Sequence, residues 1–158
     1  AGDSDGALEL LRQARAADPT NTRVATAIAQ VQAASGDPDG AEQTLAELPP
    51  DEQKEPEIAR LRGQLFFNRV AASAGPPETT RQRLASSPDD SEARYQLAAH
   101  QVIANDMEGA VDNLLQLMQR DRKFGDDAAR LALLRLFDLL GDDPAIARYR
   151  ARMFAQLH

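Results

Sequence analysis

Apolar residues recur along this chain at intervals of three and four, and turn formers interrupt them at regular points. That spacing marks helices with one buried face. Leu8, Leu11 and Ala14 predict a first helix over 5–17, which Asp18-Pro19-Thr20-Asn21 stops. Val24, Ala25, Ile28 and Val31 predict a second over 22–35, broken by Gly36-Asp37-Pro38. A third follows over 39–48, with Asp39 and Glu42 at capping-box spacing. Ile58, Leu61, Leu65, Phe66 and Val70 predict a long helix over 56–72, then a short one over 79–86. Segments 90–105 and 107–121 form a pair, and 126–140 is strongly apolar with Gly141 placed to end it. Asp143-Pro144 reads as cap and first-turn proline of a last helix running to residue 157. Short connections make neighbouring helices antiparallel hairpins.

The pattern also repeats. Gly2, Asp3, Asp5, Gly6, Ala7 and Leu11 recur 34 residues later as Gly36, Asp37, Asp39, Gly40, Ala41 and Leu45. A weaker copy, Asn105, Asp106, Ala110 and Leu114, lies 69 further on, twice the period plus one. Thirty-four is the tetratricopeptide (TPR) period, a hairpin of helix A and helix B. Close crossing of A and B needs small side chains. Ala29 and Ala98 fill that place on A helices, and Ala7, Ala41 and Ala110 on B helices. The expected fold is therefore all-α, a right-handed TPR-like alpha-alpha superhelix of degenerate repeats spanning 1–158. In the third unit the small-residue place falls on Pro76, and the fifth, 126–157, reads as a cap. The chain opens on a B helix, whose apolar face needs a neighbour. It thus reads as a piece of a longer chain.

Residues Phe124-Gly125-Asp126-Asp127-Ala128-Ala129-Arg130, Leu134-Arg135-Leu136-Phe137-Asp138-Leu139-Leu140-Gly141 and Arg148-Tyr149-Arg150, with Arg152, carry a resemblance. From Gly75 onward the chain resembles the C-terminal part of the thioredoxin-like TPR co-chaperones, the chaperedoxin family. The resemblance implies a cytoplasmic bacterial protein that holds unfolding clients and hands them to chaperonin and Hsp70. It also implies a thioredoxin-like domain before residue 1, and a C-terminal helix that docks on chaperonin.

Composition supports the helices: 29 Ala and 19 Leu stand against 5 Val, 4 Ile and 6 Thr. The net charge of −7 argues against a general binder of nucleic-acid backbone, and no apolar run reaches membrane-spanning length. Without cysteine there is neither a thiol nucleophile nor a Cys-type zinc site. His100 lacks a partner at helical spacing, so it reads as a surface or half-buried side chain, and His158 is terminal. The pairs Asp89-Asp90, Asp126-Asp127 and Asp142-Asp143 each precede a predicted helix, where carboxylates cap free N–H groups. No residue set supports catalysis, a metal or a cofactor, and the expected role is non-catalytic.

Charge is uneven. Residues 1–60 carry −7, residues 61–143 carry −3, and residues 144–158 carry +3 with no acid. In the last helix Ile146, Tyr149, Met153 and Leu157 form an apolar stripe with Phe154 off its edge. With the docking role that the resemblance implies for this helix, the expected chaperonin-facing set is Arg148, Arg150, Arg152, Phe154 and Leu157; an amphipathic helix can lie in a partner's groove. Clients would meet A-helix positions such as Gln30, Arg94 and Gln101. Thr26 and Gln30 replace the Lys and Asn with which some TPR domains grip chaperone C-termini, so that clamp is not expected. The other reading is a general TPR scaffold in an unrelated complex.

Overall fold

A computed structural model describes the backbone of residues 2–157 and the side chains of residues 5–157; His158 lies outside them. Every regular element among them is helical: α1 (Gly2–Ala17), α2 (Thr22–Ala34), α3 (Pro38–Ala46), a 3-10 turn (Glu52–Lys54), α4 (Pro56–Ala74), α5 (Pro77–Ser86), α6 (Ser91–Ile103), α7 (Met107–Arg120), α8 (Ala128–Leu140) and α9 (Ala145–Ala155). The fold class is the predicted one. The chain forms two compact units, Ala1–Leu65 and Phe66–His158, with the division inside α4.

In the first unit α2 and α3 form a hairpin. Gly36 takes φ +83°, a conformation open to glycine, and turns the chain so that Ala29 and Ala41 meet without exposed surface. Leu45, Leu48, Ile58 and Leu65 complete the core with Ala25. The α3 cap differs from the predicted capping box: Asp37, not Asp39, accepts from Gly40 N at 2.9 Å. Pro38 explains the shift. It has no N–H and a preset φ, so it occupies the first turn and leaves Asp37 as the cap.

The second unit repeats this hairpin in α6 and α7, 69 residues on. Asn105 takes φ +61° where Gly36 stood, and Asp106 caps Gly109 N at 3.0 Å. A Cβ at Gly40 or Gly109 would overlap the capping carboxylate, which accounts for the recurring glycine. Thr44 donates to Gln32 at 2.8 Å, and Asn113 donates to Gln101 at 2.8 Å in the equivalent place. Thr22 donates to Glu52, and Ser91 to Asp121. The sequence period is thus also a repeat of polar clasps around the Ala29–Ala41 and Ala98–Ala110 crossings. A larger core surrounds the second, with Phe67, Leu114, Leu117, Leu133, Leu136 and Phe137.

Two further details depart from expectation. In α5 the residue without exposure is Thr80, one turn beyond Pro76, because the helix starts only at Pro77. The Asp126-Asp127 pair does not cap α8. Both residues, with Gly125, have positive φ and form the turn itself, and Asp127 pairs with Arg130; Asp is among the few residues that tolerate this conformation. The other two pairs do cap, Asp90 accepting from Ala93 N and Asp143 from Ala145 N, each at 2.8 Å.

The Ala93 N–H holds the Asp90 carboxyl below the usual carboxylate range, and Arg83 at 3.0 Å adds to this against partial desolvation. A lowered folded-state pKa stabilises above the unfolded value of about 3.9, and the contribution disappears as pH falls through the folded value. Asp90→Ala is therefore expected to cost about 1 kcal/mol at neutral pH. In urea titrations the gap to the native chain should narrow below about pH 4, whereas Asp90→Asn, which keeps a cap, should lose the pH dependence.

Candidate protein-interaction surface

Asp143 caps α9, and the predicted stripe fixes it: Ile146, Tyr149 and Met153 are buried. Leu157 is half-buried against the same core. Two of the three α9 arginines then reach α7. Glu108 accepts from Arg148 at 2.5 Å, from the Tyr149 hydroxyl at 2.9 Å and from Arg152 at 3.0 Å, while Asp112 accepts from Arg152 at 2.5 Å. Glu108 and Asp112 are one helical turn apart, as are Arg148 and Arg152, so the four charges interleave. The Tyr149 hydroxyl and Glu108 raise the Arg148 pKa. Burial, then Glu108, raises that of Tyr149. Sequence reasoning missed the acidic half of this lattice, although Glu108 and Asp112 show the i, i+4 spacing on a B helix.

Arg150 and Phe154 stand apart from the lattice. The Arg150 guanidinium lies over the Phe137 ring, 5.6 Å from its centroid, and Phe154 is 54% exposed. Beside Arg150 runs a groove of about 530 Å³ lined by Phe66, Leu131, Leu134, Arg135, Phe137 and Asp138. Leu131 and Leu134 are exposed there, at 46% and 39%. Both fall among the apolar residues of α8, and only the packing shows which of those remain open.

The expected client residues separate. Gln30 is exposed and lines a groove of about 750 Å³ in the first unit, with Arg23, Ala27, Glu52, Glu55 and Glu57. Arg94 and Gln101 do not share that setting. Arg94 is 8% exposed and donates to Asn113 at 3.1 Å, Gln116 at 2.8 Å and the Pro88 carbonyl at 2.8 Å. Gln101 is held by Asp106 and Asn113. Residues 94, 98 and 101 share one helix stripe, and Ala98 is the close-approach position. Its stripe-mates therefore face α7. On this same α6, Tyr95 contacts Phe124 edge-on at 5.5 Å, and burial, followed by Glu92, pushes its hydroxyl up to about 12.

His100 is half-buried, as expected. Among the described residues no cluster of His or carboxylate could hold a metal, and no helix is long and apolar enough to cross a membrane.

A domain of a protein of unknown function from Vibrio parahaemolyticus matches over 99% of this chain and 92% of its own, at 21% identity and TM-score 0.47. No curated protein matches the sequence. Family models add what these do not: one described as tetratricopeptide repeat matches residues 70–158, and a second of the same description matches residues 1–65. With the 34-residue period and the paired alanine crossings, this makes the chain a member of the tetratricopeptide repeat family, whose hairpins serve as protein-interaction modules.

Proposed function

We propose that this chain is the interaction module of a bacterial, cytoplasmic thioredoxin-like co-chaperone, part of a longer chain, which holds unfolding clients and docks on chaperonin through α9. The observation that carries the reading is the two-sided build of α9. One side is locked by Ile146, Tyr149 and Met153, while Phe154 remains exposed at its C-terminal end and Arg150 stays outside the Glu108–Asp112 lattice. A helix anchored this way presents an apolar and cationic face at little ordering cost. Arg148 and Arg152 join that face by exchanging carboxylates, and Leu157 extends it. Clients meet the Gln30 groove, with Arg94 and Gln101 supporting the second hairpin from inside. The resemblance of residues 124–130, 134–141 and 148–150, with Arg152, to chaperedoxins supports the same reading.

The lattice also favours a second reading. Because Glu108 and Asp112 already neutralise two arginines, a general scaffold would need no chaperonin. Co-elution with bacterial chaperonin on size exclusion separates the two. The full chain is expected to co-elute and a chain ending at Asp143 is expected not to, with helicity of the shortened chain checked by circular dichroism. Absence of binding by both would favour the scaffold.

A further inference from the structure

We propose that the groove along α8 is a docking site for an acidic, apolar peptide segment of a partner protein. The inference rests on the TPR family's role as an interaction module; it shares Arg150 with the proposed chaperonin face but needs neither chaperonin nor Phe154. Leu131 and Leu134 offer exposed apolar surface in a groove that Phe66 and Phe137 also line. At about 530 Å³ the groove lies in the range of ligand-binding clefts. Its charges select the occupant. Arg135 is paired with Asp138 at 3.6 Å, but among the described residues no carboxylate pairs with Arg150, whose partner is the Phe137 ring. Stacking on a ring orients a guanidinium and leaves its edge to receive a carboxylate in a bidentate pair. A purely apolar segment would cover that cation without pairing it, which is unfavourable. A basic segment would meet it with like charge. An occupant carrying bulky apolar side chains and a carboxylate satisfies both walls and rim.

Fluorescence anisotropy tests this with a fluorescein-labelled peptide of about ten residues built from leucine and glutamate, in the groove-binding mode. Two controls replace all its glutamates with lysine or all its leucines with alanine. The leucine–glutamate peptide should bind the full chain, and each control about tenfold or more weakly. Leu131→Ser and Arg150→Gln should each weaken binding about five- to tenfold, while Ile103→Ser, at an exposed apolar residue of α6 that does not line the groove, should leave it unchanged. Arg150→Glu should shift the preference to the lysine peptide, a gain that misfolding cannot produce. Equal binding of the acidic and basic peptides, no effect of Leu131→Ser and Arg150→Gln, or no saturable signal below about 1 mM overturns the proposal.

Discussion

Leu114→Ala is expected to lower stability by about 2–5 kcal/mol, read as a fall in the urea midpoint with little change in slope. Leu114 is 1% exposed on α7 and sits in a core whose buried members include Leu117, Leu133, Leu136 and Phe137. Removing its branched end takes away transfer free energy and leaves a cavity that stiff neighbours cannot close. Leu45 holds the same register 69 residues earlier and has no exposed surface, yet its core contains far fewer large side chains: Leu48, Ile58 and Leu65. Leu45→Ala therefore belongs at the low end of the same range. A Leu114→Ala loss below about 1 kcal/mol, under the whole range for such truncations, would mean that α7 is not packed as described.

The pair also shows what the sequence reveals. Spacing found the hairpins because the crossing of A and B tolerates only small side chains. Ala29, Ala41, Ala98 and Ala110 are visible in any reading of the period, and all are at 0% exposure. The α9 start was legible for a local reason, since Asp143 caps over a proline one residue away. The misreadings arose where two local rules competed. Asp39 fits a capping box, but Pro38 has first claim on the helix start. Asp126 and Asp127 fit a cap, but Gly125 leads both into the left-handed turn. Surface chemistry was least legible. Which of two like faces points outward depends on the partner helix, so Arg94 and Gln101 looked available, and nothing in the apolar run of α8 set Leu131 and Leu134 apart as exposed. Likewise the α9 arginines read as free because Glu108 and Asp112 are some 40 residues away in sequence.

Arg94 yields the second large effect, and it sets packing against charge. Arg94→Ala should cost about 2–3 kcal/mol, since it empties a buried side-chain volume and removes donors from Asn113, Gln116 and the Pro88 carbonyl. Arg94→Met should stay within about 1 kcal/mol of the native chain, because it keeps the stem and discards the charge. The Arg94 guanidinium is hydrogen-bonded to neutral acceptors. Burial first, and then repulsion from Arg120, depress its pKa against the pull of Asp89. Each of these marks a cation held at a cost, so exchanging it for a thioether offsets the lost hydrogen bonds. If Arg94 held clients directly, the two variants would impair suppression of aggregation equally, whatever their stabilities. Packing at the Ala98 crossing makes the opposite demand: under the proposed co-chaperone function, Arg94→Met is expected to suppress aggregation as the native chain does, and Arg94→Ala less only in proportion to its fraction unfolded. Parallel urea and aggregation assays on the two variants distinguish a residue that builds the hairpin from one that touches the client.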